Sequence, residues 1–162
     1  MSRAPAPQAD TAAPTGGLGE LYSSPEFLIR RAHQIATAAF AQACADLELT
    51  SSQYAALFAL RQHARIGQNE LGRLIALDRS TTSVVVKTLR ERRLVRARSD
   101  ASDRRKTFLE VTDAGRLLLA EAERRSARAN QSLMSIFDKQ QAADFLAMLH
   151  KLAAALNQPG QG

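Results

Sequence analysis

The chain has 162 residues, 45% of them hydrophobic, enough for one domain with a genuine core. Its 22 Lys and Arg outnumber its 16 Asp and Glu, giving a net charge of +6 and a pI near 10.2. A lone cysteine, Cys44, excludes an internal disulfide, and the lack of an 18-residue apolar run or a long apolar N-terminal stretch argues against a membrane span or a secretory signal, so a reducing, cytoplasmic setting is expected.

Aromatics make up only 5%, Trp is absent, and Ala and Leu are abundant, which points to a mainly α fold. Residues 1–20 are Ala, Pro, Thr and Gly without periodicity and are read as a disordered arm. Pro25 to Leu47 reads as a helix, with Ser24 as its cap and Glu26 in the first turn. Its apolar stripe is Ile29, His33, Ala36, Phe40, Ala43 and Leu47, a heptad-like seam. A second helix starts after Thr50, with Gln53 as capping-box partner, and carries Tyr54, Leu57, Phe58 and Leu60.

Gln68 to Ala76 predicts a short third helix with Leu71, Leu74 and Ile75 inward. Leu77 and Asp78 turn the chain, and Asp78 or Ser80 caps a fourth helix running to about Arg92. Leu94–Arg98 and Thr107–Val111 read as short strands around the turn-forming Ser99-Asp100-Ala101-Ser102-Asp103. Thr112 and Asp113 cap a long helix to about Phe137. Asp138 caps a last one with Phe145, Leu149, Leu152 and Leu156 on one face.

Helix, turn, helix and β-hairpin over residues 50–112 is the order of a winged helix-turn-helix. The flanking helices, 25–48 and 113–157, carry apolar seams that this central unit cannot cover. The expectation is a single domain, 21–157, in which the N- and C-terminal helices build a two-fold dimer interface.

The charge is uneven. Residues 61–106 hold thirteen Lys and Arg against five Asp and Glu, a net of +8, so the rest of the chain is −2. A polyanion partner, double-stranded DNA, accounts for that placement. A recognition helix enters the major groove and shows the bases its outward face. Thr82 (through its methyl), Val85, Val86 and Leu89 supply the inward face. Arg79, Ser80, Thr81, Ser83, Val84 and Lys87 are then the candidate DNA contacts, with Val84 suited to a thymine methyl. Ser80 and Thr81 have a competing role as helix caps. Arg104 and Arg105 at the hairpin tip suit a narrow minor groove, with Asp103 a candidate to brace the loop.

Three histidines, one cysteine, and neither an HExxH motif nor a Gly-rich phosphate loop give no catalytic constellation, so no enzyme, cofactor or metal is expected. An architectural or protein-binding winged helix without sequence-specific DNA readout stays open as an alternative.

DASDRRKTFLEVTDAG resembles the wing of the MarR (multiple antibiotic resistance regulator) family: Asp100, Asp103, Arg104, Arg105, Val111, Thr112 and Gly115 fall on its pattern. LTSSQYAALFAL and NELGRLIALDRSTTSVVVKTLRERRLV resemble its second helix and its helix-turn-helix. The resemblance covers about residues 25–156. It implies a homodimer on a palindromic operator, mostly repressing, released by a small phenolic or aromatic acid between the dimer helices and the winged region. Other members answer oxidants through a cysteine, a role only Cys44 could fill; Asp46 and Glu48 beside it oppose a thiolate.

The segment Arg30-Arg31-Ala32-His33-Gln34 is similar to regulators of aromatic-acid breakdown. Arg30, Arg31 and His33, with Tyr54, His63 and Arg61, are the candidate ligand contacts, since a carboxylate in an apolar cavity needs a cationic or hydrogen-bonding partner. One position departs from the family: Arg93 stands where it usually has Gly. A left-handed backbone there costs a non-Gly residue about 1 kcal/mol, part of which a phosphate contact by Arg93 would offset.

Overall fold

The computed structural model describes residues 18–63, 65–99, 103 and 106–156. Contacts divide the chain into two units, Met1–Ile35 and Ala36–Gly162.

In the first unit a short helix, α1 (Gly19–Ser23), precedes α2 (Pro25–Ala43), which continues into the second unit. Gly19 and Glu20, in the segment read as an arm, are therefore helical; residues 1–17 of it lie outside the described residues. Tyr22 meets Phe27 edge to face at 5.1 Å, the Arg30 guanidinium lies over the Phe27 ring at 5.2 Å, and Ser23 Oγ donates to the Gly19 carbonyl. Ser24 joins the helices: its N–H donates to Leu21 O and its carbonyl accepts from Leu28 N.

The second unit opens with the end of α2 and a 3₁₀ turn, Ala45–Leu47, so the expected helix to Leu47 tightens four residues early. Glu48 follows with φ 49°, which reverses the chain towards α3 (Ser51–Gln62). The capping box is as expected: Thr50 Oγ1 accepts from Gln53 N and Gln53 Oε1 accepts from Thr50 N, at 3.2 and 3.1 Å. Next come α4 (Gln68–Leu74), α5 (Arg79–Glu91), strands β1 (Val95–Ser99) and β2 (Thr107–Val111), α6 (Asp113–Met134) and α7 (Lys139–Leu156).

Helix α3 packs against α4, α5, α6 and β2, and the centre is made by Leu57, Leu71, Leu89 and Leu119, all fully buried. One inward assignment fails: Leu74, the last residue of α4, is 49% exposed, while Leu71 is buried and Ile75 packs against the core.

The strands pair antiparallel, with Val95 opposite Val111 and Ala97 opposite Leu109, so one face closes the core while Arg96, Arg98 and Glu110 stand on the other. An unforeseen third contact widens the wing: Leu109 N donates to Ile66 O at 3.0 Å.

Thr112 anchors α6. Its Oγ1 accepts from Gly115 N (3.1 Å) while donating towards the Arg93 and Leu94 carbonyls (2.8 and 3.1 Å). A Cβ on Gly115 would stand 2.2 Å from Leu94 O, so only glycine permits this approach of α6 to the wing. Helix α7 begins with a capping box between Asp138 and Gln141. None of residues 139–155 is buried, and Leu146, Met148, Leu149 and Leu152 are 42–63% exposed. Among the described residues no helix is long and apolar enough to cross a membrane.

Candidate nucleic-acid interface

Helix α5 has the expected two faces. Thr82, Val85, Val86 and Leu89 are buried. The Thr82 hydroxyl donates to the Asp78 carbonyl at 2.7 Å, so its burial leaves no polar atom unpaired. Opposite them Arg79, Ser80, Ser83, Val84 and Lys87 are exposed, with Thr81 half-buried. Val84 is 64% exposed, an apolar side chain held in solvent at the centre of that face. The close approach of α4 needs Gly72, where a Cβ would lie 2.7 Å from Thr82 Oγ1.

Of the two candidate caps, Asp78 is the one. Its carboxylate accepts from Thr81 N (2.8 Å), Thr81 Oγ1 (2.6 Å) and Ser80 Oγ (2.8 Å). Those bonds, led by the Thr81 hydroxyl, hold its carboxyl well below the usual carboxylate range. Ser80 and Thr81 are thus in the face expected, but each spends its hydroxyl hydrogen on Asp78.

The basic residues of the segment separate into distinct roles. Arg61 forms a bidentate pair with Glu123 of α6 (2.7 and 2.5 Å) and stacks over Phe58, so it is tied into the α3–α6 contact and not free for a ligand. This pairing holds Glu123 below the ordinary range and raises Arg61. Arg92 donates to the Leu47 and Glu48 carbonyls (3.0 and 2.5 Å), bracing the end of α5 against the 3₁₀ corner. Arg96 and Arg98 both reach Glu110 Oε2 at 2.9 Å. Sequence reasoning foresaw none of these fixtures; the only signal was that +8 exceeds what one recognition helix uses. Arg104 and Arg105 lie outside the described residues. Asp103 closes the turn into β2 through its carbonyl, which accepts from Lys106 N at 2.9 Å.

Arg93 has φ 58°, the left-handed conformation that its replacement of glycine made an issue. Leu94 N donates to Leu89 O and Arg93 N to Arg90 O, both at 2.9 Å, which is the hydrogen-bond pattern of a Schellman helix end with arginine in the glycine position. The strain of that conformation, roughly 1–2 kcal/mol, is held by buried Leu89 and Leu94.

The ligand candidates are not all alike. Tyr54 and His63 line one open, mostly apolar cavity of about 420 Å³ with Phe58, Leu74 and Ile75. Burial above all pushes the Tyr54 phenol up, with the Glu123 carboxylate adding to it. Arg30, Arg31 and His33 belong to the first unit, where all three are exposed on α2. Cys44 is 1% exposed; burial above all pushes the thiol up, with Asp46 and Glu121 adding to it against Arg125. No exposed thiolate is therefore offered to an oxidant. Among the described residues no group of three His, Cys, Asp or Glu could hold a metal ion.

A model of the MarR family matches residues 47–106. The HTH-type transcriptional repressor NicR of Pseudomonas putida is 42% identical over 92 residues, which is 57% of this chain and 58% of NicR; the match spans little more than half of that relative. The structure of Bordetella bronchiseptica BpsR, whose DNA binding is regulated by 6-hydroxynicotinic acid, is similar at TM-score 0.76 and 28% identity, covering 81% of this chain and 94% of BpsR. The PcaV transcriptional regulator of Streptomyces coelicolor, solved with its natural ligand, is similar at TM-score 0.74 and 31% identity, covering 85% of this chain and 96% of PcaV. NicR and PcaV are regulators of transcription. The family model, the near-complete overlap with PcaV and a glycine-dependent wing junction at Gly115 agree: the chain belongs to the MarR family.

Proposed function

We propose that the protein is a cytoplasmic transcriptional repressor that binds a palindromic operator as a two-fold dimer and releases it on binding a small aromatic carboxylic acid. The observation that carries the reading is α5: one face is locked into the core, and the other presents Arg79, Ser83, Val84 and Lys87 to solvent on the most basic part of the chain. Such a face fits the major groove, where Val84 suits a thymine methyl and the cations suit phosphates. The dimer is supported by α7, whose exposed Leu146, Met148, Leu149 and Leu152 are costly to leave in water. The effector is supported by the cavity beside α4, where Tyr54 and Phe58 offer rings and His63 a polar group. That BpsR responds to 6-hydroxynicotinic acid supports an aromatic acid as the class. Arg30, Arg31 and His33 are proposed as carboxylate partners, and Arg104 and Arg105 as minor-groove contacts.

The test is a mobility shift on the DNA upstream of the gene, with and without 6-hydroxynicotinate and substituted benzoates. A retarded complex that outcompetes random duplex and dissociates with one of these acids is expected. Equal affinity for any duplex would leave an architectural role, and indifference to every aromatic acid would remove the effector.

A further inference from the structure

Between the outward face of α5 and the base of the wing runs an open cleft of about 630 Å³. Ser83, Lys87 and Arg90 line it from the helix, Arg93 from its end, and Arg96 from β1. Glu91 is the one carboxylate on its wall and sits 3.9 Å from Lys87 Nζ, a loose contact between well-exposed groups. The run RERRLVRAR therefore resolves into two kinds of arginine. Arg92 is held by the carbonyls of Leu47 and Glu48, and Arg96 and Arg98 by Glu110. Arg90 and Arg93 are exposed, and among the described residues their guanidinium groups have no ion-pair or hydrogen-bond partner. Two unpaired cations kept on one wall, one of them in a left-handed backbone that disfavours any side chain, are placed for an anion.

We infer that this cleft seats one sugar-phosphate strand, with Arg90 and Arg93 as phosphate contacts additional to the base-facing residues of α5. The inference rests on the DNA-binding reading above. If α5 occupies the major groove and the wing the neighbouring minor groove, the backbone dividing the two grooves must pass between α5 and β1, along this cleft. Phosphate contacts set register and orientation without reading sequence.

The experiment compares full-length wild type with Arg90→Gln, Arg93→Gln, Arg93→Gly and Arg128→Gln. Arg128 is an exposed cation of α6 away from the cleft lining. Binding to operator and to random duplex is followed by fluorescence anisotropy across a salt series. Each cleft substitution is expected to lower the slope of log affinity against log salt by about 1 per protomer. At ~0.1 M salt that is roughly an eightfold loss per contact, equal on both duplexes. Arg93→Gly separates contact from folding: it should lose the same slope while melting at a higher temperature, since it relieves the backbone. An unchanged slope, a loss confined to the operator, or an equal effect of Arg128→Gln would overturn the assignment. Failure of the wild type to bind either duplex would instead remove the DNA reading on which it depends.

Discussion

Replacing Gly115 with alanine adds one methyl at the junction of α6 and the wing, and its cost can be worked from the geometry. The new Cβ would lie 2.2 Å from Leu94 O and 2.8 Å from Val111 Cγ1. Ordinary contact distances are well above 3 Å, so the start of β1 has to move by about 1 Å. Leu94 O cannot move freely, because it accepts from Thr112 N at 3.0 Å and from Thr112 Oγ1 at 3.1 Å. Overpacking costs about 1–3 kcal/mol, a weakened hydrogen bond adds about 1 kcal/mol, and alanine's better helix propensity returns up to about 1 kcal/mol. The net is about 2 kcal/mol, which for a chain of this size lowers the melting temperature by roughly 4–8 °C. Thermal unfolding by circular dichroism reads it. Gly67→Ala is the control: its added Cβ meets nothing nearer than Thr107 O at 3.6 Å, so no comparable loss is expected. A Gly115→Ala protein that melts with wild type, or above it, refutes the reasoning, since the wing junction would then have room that the geometry denies it.

The Arg61–Glu123 pair gives a pH prediction. Glu123 is held below its ordinary value of 4.5, so the stability it contributes is complete above about pH 4.5 and is lost as pH falls through the lowered folded value. Glu123→Gln should cost about 1 kcal/mol at neutral pH, between an exposed and a buried pair. The gap from wild type should narrow below pH 4.5; a constant gap down to pH 3, seen in urea titrations at several pH values, would contradict it. Cys44, with burial raising its thiol, should react with an aromatic disulfide reagent only when the protein unfolds. Stoichiometric labelling of the native protein within minutes would restore the oxidant-sensing alternative.

Helix α5 was legible because its inward set, Thr82, Val85, Val86 and Leu89, repeats at helical spacing on a short, strongly two-faced segment. The Thr50–Gln53 and Thr112–Gly115 caps were legible because capping chemistry is local. What escaped was set by distant partners. Ile66 joins the wing through a single backbone bond to Leu109, and one residue carries no periodicity. Leu74 has the composition of a core residue but falls at the last turn of a helix too short to bury both it and Leu71. Arg61 and Arg92 look like DNA-facing cations until Glu123 and the carbonyls of the 3₁₀ corner are seen beside them. Arg93 was the converse case: the family resemblance, which puts glycine there, raised the prospect of a left-handed backbone, and its φ is 58°.

If α5 lies in the major groove as proposed, Asp78 has a consequence for the bases it would read. By drawing both hydroxyl hydrogens of Ser80 and Thr81 onto itself, it leaves those oxygens with lone pairs alone to show a base edge. In the major groove only the amino groups of cytosine and adenine answer a lone pair, whereas the guanine edge offers acceptors that would meet oxygen with oxygen. A side chain devoted to starting the helix thereby fixes the polarity of two neighbouring groups. Asp78→Asn, with an amide able to donate as well as accept, would release that polarity, and under the proposed DNA contact base preference should shift with it.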